Sequence, residues 1–418
     1  MSSPLSPSDS LDSNPLRAEP SSPAQNVARP RLDSVDLLRG MIMVLMALDH
    51  VRDFFPPSNY DPLDLSKTNA ALFLTRWITH FCAPVFTFLA GTGAFLALTR
   101  GKSKRELSWF LFSRGLWLAF LEVTWVRCLG WNFDFDFHFI GVGTLWSIGW
   151  SMVVLSALVF LPTWAITAFG VIMIAVHNAF DSVGPRSFGT LSWMWKVLHA
   201  NGSFEWAPGY HVGIGYALIP WMGVVAAGYG FGTLLLLEPV RRRKWLLWLG
   251  VAITLAFIAL RWTNTYGDSL YGKSHHWSEQ KNFLFTVFSF IDVHKYPPSL
   301  LYLLMTLGPA LIVLALLDRG TPRLLRPILV FGRVPLFYYL LHLPLIHGSA
   351  ALLAYARFGH ADWLFGSPFN WAKAPPGAAF ALPVVYGIWI AVVLLLYPVC
   401  RWFAEVKRRR RDAWLSYL

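Results

Sequence analysis

The first long apolar run of the chain is bounded by charges whose spacing suits catalysis. It reads Asp36-Leu-Leu-Arg39-Gly40, then eight apolar residues, then Asp49-His50-Val-Arg52-Asp53. At 100° per residue, Arg39, Met43, Met46, His50 and Asp53 form one stripe along a helix, with His50 about 16 Å beyond Arg39. Asp53, three residues on, is placed to accept a hydrogen bond from the imidazole and fix its tautomer. A histidine so held can act as a general base or carry an acyl group. The plainer reading is that Asp49, Arg52 and Asp53 only cap the outer helix end, which leaves His50 and Arg39 on one face unexplained.

The second apolar run repeats the theme. Arg76, His80, Thr87 and Gly91 share a stripe, and Pro84 can loosen the backbone beside His80. Arg76, one turn away, favours a neutral imidazole, which is the form able to act as base. The third run carries Arg114 and Glu122, which can serve simply to neutralise each other's neighbours. The ninth contains Gly332-Arg333 and, nine residues deeper, His342, followed by His347. An arginine near the inner side with a deeper histidine suits a phosphorylated donor. Two further groups, Asp134/Asp136/His138 and His275/His276/Asp292/His294, lack a recognised metal-ligand spacing, so no metal is expected. No glycine-rich phosphate loop, Gly-x-Ser-x-Gly elbow or His-Glu-x-x-His motif occurs.

The elements that must position these groups follow from composition. Of 418 residues, 55% are hydrophobic and only 14% charged, with 21 Trp and 32 Phe; the mean hydropathy is +0.47. Soluble domains carry roughly 25% charged residues, so a water-soluble enzyme is excluded. Apolar runs long enough to cross a roughly 30 Å hydrocarbon core recur throughout. Ten helices are expected near 35–55, 70–98, 107–128, 138–161, 163–181, 211–235, 245–262, 297–317, 329–350 and 379–400, an all-α polytopic bundle. Segments on the side of the N-terminus hold 20 Lys and Arg, against 8 on the other side, which by the positive-inside rule puts both termini in the cytoplasm. The segment Trp277–Ile291 suits an interfacial amphipathic helix. No internal repeat is present.

The net charge of +12 resides in short clusters between the runs, with no basic stripe interleaved with aromatics, so nucleic acid is not an expected partner. Cys82, Cys128 and Cys400 lie in or at the ends of apolar runs and are expected to pack, not to bridge. Residues 1–30 hold eight Ser and six Pro and are expected to be a disordered cytoplasmic tail. The membrane domain should occupy 31–403 and a basic cytoplasmic tail 404–418.

The segments Arg31-Leu-Asp-Ser34-Val35-Asp36-Leu-Leu-Arg39-Gly40 and Thr75-Arg76-Trp77-Ile-Thr-His80-Phe-Cys-Ala-Pro84-Val-Phe resemble the catalytic domain of heparan-α-glucosaminide N-acetyltransferase and its bacterial relatives. Gly143-Thr-Leu-Trp-Ser-Ile-Gly149, Ile219-Pro220-Trp221-Met-Gly223 and Gly332-Arg333 to His342 extend the likeness to about residue 400. The first helix also resembles that of bacterial membrane O-acyltransferases, whose functional histidine follows the Arg-Gly arginine by eleven residues, the position of His50. The heparan enzyme instead carries its histidine in the loop after this helix, where this chain has none between Val51 and Thr79. An acidic residue of that enzyme is here His80. The base is therefore His50 or His80.

The resemblance implies a transmembrane acyltransferase of the bacterial inner (cytoplasmic) membrane and cell envelope. Acetyl-CoA would be the donor, and a carbohydrate or glycolipid amine or hydroxyl at the outer face the acceptor. His50, Asp53, His80 and Asp49 would form the catalytic group. Arg39, Lys104, Arg105, Arg114 and Arg333 would receive the donor's phosphates, with His342 deeper in the same cofactor site. A proton-coupled transporter using the same Asp, His and Arg groups is the competing reading. The charge bias predicts that the loops Gly101–Arg105 and Arg241–Lys244 face the cytoplasm. Cysteines placed there should resist an impermeant thiol reagent added to intact cells, and labelling of either loop would overturn the topology.

Overall fold

A computed structural model describes residues 32–131, 133, 135–270, 273–366, 374–410 and 412–418. The expected tail 1–30, Arg31 and Asp134 lie outside the described residues. Helix α1 spans Asp33–Phe54, with Asp33 and Asp36 in its first turn and Arg52 in its last, signs that match the helix dipole. Helix α2, Ala70–Leu98, starts where the Asn69 side chain accepts from Leu72 N at 3.1 Å. Helix α3, Lys104–Leu121, starts at a reciprocal cap between Ser103 and Glu106, and continues as a wider π-helical stretch over Glu122–Trp131.

Strand β1 (Phe139–Val142) precedes α4 (Thr144–Leu158) and α5 (Thr163–Phe180). Strands β2 (Gly202–Ala207) and β3 (Tyr210–Ile214) precede α6 (Leu218–Leu236) and α7 (Pro239–Thr263). A short helix α8 (Phe283–Ile291) leads to α9 (Leu300–Leu317). Helix α10 (Ile328–Arg333) breaks at Val334 and resumes as α11 (Pro335–Phe358), and α12 spans Leu382–Arg409.

The fold is a helical bundle, and a helix occupies each of the ten expected segments. Among the described residues seven helices (α2, α5, α6, α7, α9, α11 and α12) are long and apolar enough to cross a membrane. Helices α1 and α3 carry more charge, and α4 is shorter. Two expected helix starts are corrected. Residues 139–142 and 210–214 are strands, so the helices begin at Thr144 and Leu218. Strand β3 lies between β1, parallel to it, and β2, antiparallel, with Ile140 opposite Val212. The sequence there is rich in β-branched and aromatic residues punctuated by glycine, which favours a small sheet over a helix. The interfacial helix expected over 277–291 forms only from Phe283, where Asn282 caps it. Helix α12 runs through the boundary expected at 403.

Helix α1 is the hub. It packs against α2, α9, α10, α11 and α12, and Leu37, Met43, Ala47, Leu48 and Val51 are essentially inaccessible. By contrast, Trp248, Leu255 and Trp262 of α7 and Ile390, Leu394 and Leu395 of α12 are exposed, the apolar outer faces expected of helices set in lipid. Close helix approaches rest on glycine. Gly115 of α3 and Gly149 of α4 face each other so tightly that a Cβ on either would lie 2.5 Å from the other's carbonyl oxygen. At Gly332 a Cβ would fall 1.8 Å from Asp36 O. Cys82, Cys128 and Cys400 are buried and unbridged.

Gly332→Ala should therefore destabilise the protein by more than the roughly 1–3 kcal/mol typical of an overpacked core, because the clash is with backbone. Gly348→Ala, where the nearest atom is 3.9 Å away, should leave the melting temperature in detergent nearly unchanged. Equal melting temperatures for the two variants would refute the α1–α10 packing.

Candidate active site

Two cavities lie at the two ends of α1. The first, about 280 Å³, is ringed by Arg39 of α1, Arg114 of α3, Arg333 of α10 and Lys407 of α12, above apolar walls that include Leu118, Leu145 and Leu336. The second, about 540 Å³, is lined by Asp49, His50 and Asp53 of α1, Glu122, Arg127 and Trp131, Tyr296, Tyr339 and the edge of the sheet. Their walls are continuous. Leu118 and Glu122 are one turn apart on α3, Leu336 and Tyr339 one turn apart on α11, and Leu145 follows Thr144 on α4.

His50 is buried at the second cavity, and its Nδ1 lies 2.7 Å from Nε2 of His342. The two rings stack, and the Trp131 ring meets His50 edge-on at 5.1 Å. His342 Nδ1 lies 3.0 Å from the carbonyl oxygen of Tyr338. A carbonyl only accepts, so a neutral His342 donates from Nδ1 and accepts at Nε2. His50 must then donate from Nδ1, which leaves its Nε2 as the lone-pair nitrogen. A chain of two rings ending on a backbone carbonyl thus fixes the tautomer a base needs.

This corrects two expectations. Asp53 does not orient His50; its carboxylate accepts from Arg52 at 2.8 Å. His342 does not belong with Arg333 at a phosphate site; it is the partner of His50, a full helical segment away from the cationic cavity.

Asp49 anchors the outer end of α1. Its Oδ1 accepts from Arg52 at 3.0 Å, Arg76 at 2.9 Å and the Thr79 hydroxyl at 2.8 Å, while Lys295 Nζ stands 3.6 Å from Oδ2. Three cations thus surround the carboxylates of Asp49 and Asp53. Lys295 was not anticipated, because it reaches Asp49 from the loop before α9, and nothing local in the sequence signals a contact across that separation.

His80 is also corrected. It is fully buried, does not line either cavity, and neither ring nitrogen has a hydrogen-bond partner among the described residues. Its ring meets Tyr302 edge-on. Its backbone is what the fold uses. Pro84 has no N–H to offer the carbonyl four residues back, and the Tyr302 hydroxyl donates to that His80 oxygen at 2.8 Å. The expectation that Pro84 loosens α2 here holds, and the helix narrows to a 3₁₀ turn over Thr79–Phe81.

Of the residues expected at the donor, Arg39, Arg114 and Arg333 come together around the first cavity. Arg39 pairs with Asp36 at 3.2 Å, Arg333 with Asp33 at 3.3 Å, and Arg114 donates to the Ser416 carbonyl. Lys104 and Arg105 do not join them. Lys104 Nζ instead donates to the carbonyls of Phe160 and Leu161 that follow α4, and Arg105 is exposed. Arg114 and Glu122 do not pair, since they face different cavities. Glu122 accepts from Gly143 N at 3.1 Å and Leu145 N at 2.9 Å, capping α4. Arg127, unforeseen because it sits in the π-helical stretch, is buried and donates to Phe139 O at 3.0 Å, which ties β1 to the cavity wall.

In the loops, His275 and His294 converge on Asp268, at 3.2 and 3.1 Å, and Asp292 stands 3.6 Å from His275. Burial pushes the Asp268 carboxyl up, but the hydrogen bonds from His275 and His294 outweigh it and hold it well below the usual carboxylate range. His276 is not part of this group. Asp136 and His138 form an exposed pair at 3.2 Å.

A charged helix enclosed by apolar helices, with a cationic cavity at one end and a buried histidine pair at the other, defines an integral membrane protein with a polar site inside the bundle. A family model described as heparan-alpha-glucosaminide N-acetyltransferase, catalytic, matches residues 31–264. The chain belongs to this family, and its activity is of the transmembrane acetyltransferase-like class. The match takes in His50, Asp49, Arg39 and Arg114 and ends before Arg333 and His342. No curated protein matches the chain significantly.

Tyr302→Phe removes the hydroxyl that donates to the His80 carbonyl while keeping the ring. It should cost about 1–3 kcal/mol of stability, the penalty for an unsatisfied buried acceptor, and should leave binding at the His50 cavity intact. A melting temperature equal to wild type would show that the carbonyl is satisfied another way.

Proposed function

We propose that the chain moves an acyl group, acetyl by family resemblance, from coenzyme A in the cationic cavity to a sugar amine or hydroxyl in the His50 cavity. The observation that carries this reading is the end-to-end alignment of the two cavities along α1, α3, α4 and α11. Guanidinium groups are matched to the phosphates of the donor at one end, and a tautomer-fixed imidazole stands at the other. The charge bias of the loops supports a donor arriving from the cytoplasm and an acceptor at the outer face, and the family's bacterial relatives support a place in an inner membrane.

In the direct route, His50 Nε2 takes the proton from the acceptor N–H or O–H as that atom attacks the thioester carbonyl carbon. The tetrahedral intermediate collapses with cleavage of the C–S bond. The imidazolium returns the proton to the departing sulfur, so free thiol and acylated acceptor result. Because His50 Nδ1–H is already directed at His342, protonation at Nε2 breaks no hydrogen bond. Asp49 acts behind this pair by holding the outer end of α1, and Asp53 by holding Arg52.

His50→Ala should lower turnover by about 10²–10⁴-fold with little change in melting temperature. His342→Ala should act in the same direction, and Asp53→Asn and His80→Ala should act much less on turnover in folded protein. Changing Arg39, Arg114 or Arg333 to Gln should weaken acetyl-CoA binding by roughly ten- to a hundredfold, the loss of one charge-assisted bond of about 1.5–3 kcal/mol. Normal turnover in His50→Ala together with unchanged donor affinity in all three arginine variants would overturn the reading in favour of a proton-coupled carrier.

A further inference from the structure

A third polar cluster lies apart from both cavities. His177 and Asp181, at and just past the end of α5, meet His199 from the helical turn Lys196–Ala200. All three are at most 5% exposed. His199 Nε2 lies 3.1 Å from Asp181 Oδ1. The other carboxylate oxygen, Oδ2, is held by Asn178 Nδ2 at 2.7 Å and by the Ser269 hydroxyl at 2.8 Å. Both ring nitrogens of His177, and Nδ1 of His199, are buried with no hydrogen-bond partner among the described residues.

Leaving a buried polar atom unsatisfied is costly, and three of them in one cluster point to a missing partner. One nitrogen from each histidine and one Asp181 oxygen lie within 4.8 Å of one another. Atoms so spaced stand at most ~2.8 Å from a common centre, so metal bonds of about 2.0–2.2 Å need each to move inward by less than about 1 Å. Two imidazoles and a carboxylate are a donor set for a divalent transition metal, whereas magnesium and calcium prefer oxygen alone.

We propose that His177, Asp181 and His199 bind one divalent transition-metal ion of the zinc class. Asn178 and Ser269 hold Asp181 Oδ2 and so present Oδ1 to the ion, the outer-shell support such sites use. The bound ion staples segments 177–181 and 196–200, and Ser269 ties its loop to the same carboxylate through Asp181 Oδ2. The segment after His199 supplies Gly202 and Ser203 to the His50 cavity, so the staple braces that wall. The neighbouring Asp268, His275 and His294 group has similar spacing, but the Arg261 guanidinium already bonds Asp268 Oδ2 at 3.0 Å and repels a cation there. The assignment does not depend on the acyltransferase reading.

The test uses the full chain in nanodiscs, purified on a tag without histidine, stripped with chelator and titrated with Zn²⁺ and with Co²⁺ as a visible probe. Expected are one tightly bound equivalent, a ligand-field absorption band from Co²⁺, and a rise in melting temperature with metal. His177→Gln and His199→Gln should each weaken binding by at least about a hundredfold and remove the band, while His275→Gln should keep both. Asp181→Asn, which preserves volume and the bond from Ser269, gives a further variant should the histidine changes fold poorly. No metal uptake by the wild-type chain overturns the proposal, as does loss of the band in His275→Gln with retention in His177→Gln and His199→Gln.

Discussion

Everything in this bundle follows from the cost of placing α1 in a membrane. Seven of its 22 residues are ionisable, at its two ends, and a charged side chain at the centre of a bilayer costs roughly 2.5–3.5 kcal/mol even on insertion scales. Such a helix cannot face lipid. It is driven to the middle of the bundle, where its neighbours must supply complementary groups. Helix α2 brings Arg76 and Thr79 to Asp49, the loop before α9 brings Lys295, and α11 brings His342 to His50. At the opposite end Gly332 lets α10 approach until its backbone touches that of α1, and its carbonyl lies 3.4 Å from Arg39. The positions of α2, α9, α10 and α11 are thus tied to the charges of one helix.

The strength of that constraint explains what could be read from the chain alone. Helix existence was legible because the spans are long and apolar, and the place of Arg39 and His50 at the two cavities because both lie on one stripe of a helix that has to be buried. The identity of their partners was not legible. Periodicity reports which residues share a face of one helix, and so it favoured Asp53 as the orienter of His50. The actual orienter, His342, lies 292 residues away and meets it only through the packing of α11 on α1. His80 misled for the converse reason. It lies on a polar stripe of α2, but that stripe is divided, with Arg76 turned to Asp49 and His80 turned into the core beside Tyr302. The strands escaped notice because short apolar segments with glycine and aromatics read alike as helix ends or as sheet. They matter because the sheet edge closes the cavity that His50 faces.

Between the charged ends of α1 lie eight apolar residues, about 12 Å of helix, and this insulating middle shapes the chemistry proposed for the site. Leu118, Leu145 and Leu336 wall the cationic cavity, and residues within a turn of them line the histidine cavity. A phosphate passing those leucines would lose both its water and its arginine partners, a desolvation that apolar side chains do not offset. In the proposed reaction only an uncharged extension of the donor would reach His50 while its phosphates stay with Arg39, Arg114 and Arg333. On the proposed function, the apolar length of α1 would act as a ruler. It would select donors that carry the acyl group on a long neutral arm, as the pantetheine of coenzyme A does. It would reject acyl phosphates, whose charge sits beside the reacting carbonyl. It would also keep the polyanionic head of the donor from the space proposed for the acceptor.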